Sequence, residues 1–128
     1  MGEFTQLELE AAQKAVASTI HKIERVQMTL GAKQPPRTAQ MKTGARRLKA
    51  LYIAASLIEQ EMKADLTESY TKAELEEAIK DTLSFVRQIE KVKPKFEEGT
   101  PQHTLAIRRI RAFQIAGALM EREMSRDR

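Results

Sequence analysis

Residues 45–62 read ARRLKALYIAASLIEQEM, and residues 107–124 read IRRIRAFQIAGALMEREM. Set 62 positions apart, 9 of the 18 pairs are identical, among them Arg46/Arg108, Arg47/Arg109, Ala50/Ala112, Ile53/Ile115, Ala54/Ala116 and Leu57/Leu119. A second matching pair lies upstream of each segment. TQLELEAAQKAVASTIHKIERV at 5–26 agrees with TKAELEEAIKDTLSFVRQIEKV at 71–92 in 10 of 22 positions, at an offset of 66. Two segments repeated in the same order describe a chain made of two copies of one unit. The offsets differ by four, so the central loop of the first copy is four residues longer. The copies span 4–62 and 70–124, joined by a linker at 63–69, within a single domain of 1–128.

Each copy opens with the same helix-start device. Thr5-x-x-Glu8 and Thr71-x-x-Glu74 are capping boxes, and Phe4 and Tyr70 stand where a hydrophobic staple would pack on Leu9 and Leu75. Phe4 thus reads as part of the fold, whereas Met1–Glu3 carry no such role. Apolar residues Leu9, Ala12, Val16, Ile23, Val26 and Leu30 recur at helical spacing, which predicts a first helix from Thr5 to Leu30 with Gly31 as its stop. Pro35-Pro36 bars its continuation. A second helix is expected over 38–62. A third starts at Thr71, is weakened by Pro94 and ends at Gly99. A fourth begins with Thr100 as cap and Pro101 in its first turn and runs to Met124. Short connections make antiparallel hairpins, so the predicted fold is an all-α, antiparallel four-helix bundle of two hairpin repeats related by a pseudo-two-fold axis.

The second and fourth helices carry two apolar stripes. At 100° per residue, Leu48, Leu51, Ala55, Ile58 and Met62 share one face, matched by Ile110, Phe113, Gly117, Met120 and Met124. Ala50, Ile53 and Leu57, with Arg46 at one end and Arg47 and Ala54 at the edge, share another, and these six are identical in the other copy. Together the stripes cover about 220° of the circumference, where a surface helix needs only one apolar face. Both helices are therefore expected at the centre of the bundle. The second stripe serves either as the seam between the copies or as a surface for a partner.

Composition narrows the chemistry. The 128 residues are 41% hydrophobic and 31% charged, enough for one core and a solvated surface. With no Cys there are no disulfides and no thiolate metal sites, which fits a reducing cytoplasm. No apolar run approaches the roughly 18–20 residues that cross a bilayer, and MGEFTQLELE does not read as a secretory signal. The net charge of +4 is only mildly basic. His21 and His103 do not match between copies, and neither has a ligand partner at helical spacing. The sequence offers no Glu-x-x-His, no Gly-rich phosphate loop and no nucleophile–base pattern, so no cofactor, metal or catalytic residue is expected.

The polar residues with most to offer are Arg46, Arg47, Arg108 and Arg109, joined by Lys49 and Arg111. A two-fold arrangement would put both Arg pairs at one end of the bundle, where guanidinium forks suit phosphate or carboxylate. A structural use is also open. Within a hairpin, Glu24 and Glu90 lie at about the height of these arginines, given a rise of about 1.5 Å per residue, and are candidate ion-pair partners. Lys33, Arg37 and Lys42 add charge around the first loop.

The pattern YTKAELEEAI…IEKV…EGTPQHTL…IRAFQIAGALMERE resembles small one-hairpin proteins of Gram-positive bacteria and their mobile elements. The resemblance covers 70–123 best and 4–61 more loosely, and it implies no activity. It implies that single-hairpin relatives would dimerise to bury both stripes, and that this chain corresponds to such a dimer fused. The expected function is a non-enzymatic module that binds a protein partner or another copy of itself. The alternative is a binder of nucleic acid or a nucleotide through the paired arginines. No membrane partner is expected.

Overall fold

The computed structural model describes residues 3–63 and 69–126. Four helices follow one another: α1 (Gln6–Gly31), α2 (Thr38–Lys63), α3 (Lys72–Val92) and α4 (Pro101–Met124), with a 3-10 turn over Lys93–Lys95. Most of the expected linker, 64–68, lies outside the described residues.

The helix starts follow from the caps. Thr5 Oγ1 accepts from the Glu8 amide at 3.1 Å while Glu8 Oε1 accepts from the Thr5 amide at 3.0 Å. Thr71 and Glu74 repeat the arrangement at 3.1 and 2.9 Å. Each box satisfies two backbone donors that a helix start would otherwise leave open. Phe4 and Tyr70 pack, half-buried, against the core beside them. Thr100 caps α4 through the His103 amide at 3.3 Å, with Pro101 in the first turn.

Two helix ends differ from the sequence reading. Gly31 closes α1 as its last residue rather than as a left-handed cap; the cap is Ala32, in ordinary right-handed geometry. α3 stops at Val92, before Gly99, because Pro94 lacks an amide proton and the chain tightens into the 3-10 turn. Gly99 adopts φ 84° in the turn that leads into Thr100, a conformation that favours glycine.

α1 packs on α2 and α3 on α4, which makes two hairpins; α1 also meets α4, α2 meets α3, and α2 meets α4. α1 and α3 do not meet. The second and fourth helices thus form the short diagonal of the bundle, as their wide apolar arc predicts. The second stripe is interior: Ala50, Ile53, Ala54 and Leu57 are buried, as are Ala112, Ile115, Ala116 and Leu119. Ala50 and Ile53 line a crevice shared with α3, so this stripe is turned toward the other hairpin. The first stripe supplies Leu51, Ile58, Phe113 and Met120 to the same core. Val26, expected inside, is 48% exposed, because the end of α1 runs past the core toward the loop.

Repeat-related positions also report where space is left. Gly117 sits within α4, and a Cβ there meets nothing within 4 Å. Its counterpart in α2 is Ala55. Gly117→Ala is therefore expected to raise stability by about 0.5–1 kcal/mol, through the lower backbone entropy of the unfolded chain. The urea midpoint checks this, at unchanged denaturant slope.

Candidate functional site

The six candidate cations fall into two groups. Three are held by carboxylates of the other hairpin. Arg111 Nη2 donates to Glu8 Oε2 at 2.8 Å, and Lys49 Nζ lies 3.6 Å from Glu74 Oε2. These are one pair seen twice, since offsets of 62 and 66 carry Lys49 to Arg111 and Glu8 to Glu74. Arg46 Nε stands 3.4 Å from Asp81 Oδ1, a carboxylate almost wholly buried on α3. The counterpart of Asp81 is Ala15, so this third pair has no twin.

Glu24 and Glu90 are not the partners of the arginines. Glu24 instead accepts from the Tyr52 hydroxyl at 2.6 Å and lies 3.7 Å from His21. Arg46 turns instead to α3 of the other hairpin. Arg46 shares a stripe with Ala50 and Ile53, and that stripe faces across the seam.

A further pair joins the ends of the two central helices. Arg122 Nη1 donates to Glu61 Oε2 at 3.2 Å and Arg122 Nη2 to Glu61 Oε1, a two-pronged contact. The Arg122 fork holds the Glu61 carboxyl below the ordinary value of 4.5. The hydrogen bond from Arg111 lowers that of Glu8, and the backbone amide of Thr71 lowers that of Glu74, helped by Lys49. All three folded-state values are depressed, so their contribution is present above about pH 4.5 and is lost as the pH falls through the folded values. Acid unfolding followed by circular dichroism should therefore begin below pH 4.5. Glu61→Gln should flatten that dependence and lower stability at neutral pH.

The remaining arginines border open space. Arg47 lines a groove of about 430 Å³ at the tip of the first hairpin, with Lys22, Ile23, Val26, Leu30 and Gly44 among its other walls. Arg109 lines a groove of about 370 Å³ at the tip of the second, with Ile89, Val92, Phe96, Leu105 and Ala106. The same offsets superpose the two linings. Ile23 maps to Ile89, Val26 to Val92, Leu30 to Phe96, Gly44 to Ala106 and Arg47 to Arg109. Lys22 lines both, so the grooves adjoin.

Neither arginine meets a carboxylate among the described residues. The Arg47 guanidinium lies over the Phe85 ring at 5.6 Å. Arg109 Nη2 reaches only the Ser18 hydroxyl, at 3.3 Å, and its buried Nε has no partner. Burial pushes the Arg109 guanidinium below its ordinary value, though an arginine keeps its charge. Arg108 is exposed, with no ion pair among the described residues.

Charge is distributed unevenly along this architecture. The tip segments 20–47 and 86–109 contain 13 basic and 4 acidic residues, while the rest of the chain contains 9 basic and 14 acidic. The modest net charge of +4 hides a tip end near +9 and a remainder near −5. Among the described residues, five of the eight large exposed apolar side chains also belong to the tips: Val26, Met28, Val92, Leu105 and Ile107. Lys33, Arg37 and Lys42 taken singly do not reveal the grooves. The charge summed by hairpin end is the sequence signal that points to this end of the bundle.

Among the described residues, no three His, Asp or Glu side chains converge as a metal site, and no helix is long and apolar enough to cross a membrane. Neither family models, nor curated proteins, nor solved structures match this chain.

Proposed function

We propose that this chain is a non-enzymatic protein-interaction module that receives its partner at the paired hairpin tips. The observation that carries this reading is the pair of equivalent, adjoining apolar grooves at the tip end, each edged by an arginine. Exposed apolar surface rimmed by polar groups is where soluble proteins meet partners, and arginine is enriched in such contacts. The second stripe of α2 and α4, the other candidate surface, is occupied by the fold itself.

Position-specific photo-crosslinking in the producing cells tests this reading. A crosslinker at Thr43 or Leu105, in the groove walls, should give a discrete protein adduct. One at Lys14 or Lys80, which are exposed outside the tip segments, should not. The adduct should disappear with Arg47→Glu and Arg109→Glu. Equal products from both sets of positions, or none from the groove positions, sink the reading.

The charge of the tip end favours one alternative, an anionic ligand such as nucleic acid or a nucleotide. Titration with duplex, single strand and nucleotide at low and moderate salt decides it. Saturable binding that falls with salt and is lost when Arg46, Arg47, Arg108 and Arg109 become glutamine would put this reading first.

A further inference from the structure

The grooves constrain the partner's chemistry as well as its position. Aliphatic side chains line both, Ile23, Val26 and Leu30 in one and Ile89, Val92 and Leu105 in the other, alongside Gln27 and Gln40 in the first and Gln88 and Gln102 in the second. They lie in segments that hold 13 basic residues against 4 acidic ones. An occupant must therefore bring apolar side chains for the two walls and negative charge for the rims. Arg109 gives the second requirement a local form. Its guanidinium is partly desolvated, satisfied by one hydroxyl and left with a buried, unpartnered Nε. A carboxylate at the groove mouth would give it a charge-assisted partner.

Other occupants meet only half of these requirements. Nucleic acid supplies charge, but recognition of single strands relies on aromatic platforms, and Phe96 is the only aromatic in either lining. Two copies of this chain meeting tip to tip would oppose surfaces of the same sign.

Resting on the docking reading above, we infer that the partner's contact segment is an acidic amphipathic peptide. It seats one apolar side chain in each groove, with carboxylates reaching Arg47, Lys22 and Arg109. Because the grooves adjoin through Lys22, one continuous segment occupies both.

The test measures fluorescence anisotropy of three labelled probes on the full chain. The first is a peptide of glutamates with leucine at every third and fourth position, the second its leucine-to-alanine analogue, and the third a short DNA duplex. The leucine peptide should bind saturably and at least about tenfold more tightly than either other probe. Added salt should weaken it, and Arg47→Glu with Arg109→Glu should abolish it. Lys14→Glu with Lys80→Glu should leave it unchanged. If the charge reversal unfolds the chain, Arg47→Gln with Arg109→Gln replaces it. Amide shift changes confined to the groove walls then support the same conclusion.

Equal binding of the alanine analogue or the duplex, or affinity that survives loss of both arginines, overturns the inference. Failure here with tip-specific protein crosslinks in cells removes the acidic peptide and leaves the docking surface standing. Failure of both removes the docking surface as well.

Discussion

Phe113→Ala is expected to cost about 3–5 kcal/mol, the range for emptying a large aromatic site in a packed core. Phe113 is 1% exposed and stacks on Phe85 with ring centroids 5.2 Å apart and planes 19° from parallel. Phe85 in turn lies beneath the Arg47 guanidinium, so one column links α4, α3 and α2. A domain of this size is stable by only about 5–15 kcal/mol, so the variant should lose a large part of its denaturant midpoint. The repeat supplies a control. Leu51 fills the position equivalent to Phe113, and Thr19 the position equivalent to Phe85. Phe113→Leu keeps an apolar side chain that the other copy already accommodates, and it should cost well under half as much. Equal losses for the two variants would mean that the ring stack, rather than filled volume, holds this part of the core.

Ala54→Leu is expected to cost about 1–3 kcal/mol by overpacking the seam. Ala54 and Ala116 have no exposed surface, and they occupy equivalent places on the two central helices. A leucine at either site adds three carbons where the hairpins meet, so helices or side chains must shift to admit it. With both sites changed, the loss should depart from the sum of the single losses by about 0.5–3 kcal/mol, as it does for residues that share one packed region. Urea denaturation of the two single variants and the double variant closes the cycle. Strict additivity would show that the two alanines do not share the seam.

Much of this fold is legible in the sequence because its signals are local. A capping box acts within four residues, and a helical stripe repeats every three or four, so the starts of α1, α3 and α4 and the central place of α2 and α4 follow from spacing alone. The candidate site is less legible because it depends on how the two hairpins register against each other. Nothing near Arg46 in the sequence points to Asp81, and Asp81 gives no sign of being buried. Gln60 belongs to the polar arc of α2 in any helical projection, yet it is 6% exposed while Glu59 beside it is exposed, a difference that spacing alone does not foretell. The tip grooves arise where the ends of α1 and α3 run beyond the core, and periodicity cannot tell a side chain that reaches the core from one that overshoots it.

The crosswise ion pairs also bear on how the two halves stay together. Glu8 reaches into the second hairpin through Arg111, and Glu74 reaches into the first through Lys49. In these two pairs each half offers the other one carboxylate and one cation, while Arg46 to Asp81 and Arg122 to Glu61 cross the same joint without a counterpart. A covalent tether between two such halves acts by raising their effective concentration for each other. The contacts that recognise the opposite half do not depend on it. Cutting the tether would turn an internal docking step into an encounter between two molecules, with a strength set by the amount of protein present, and leave the geometry of the joint unchanged.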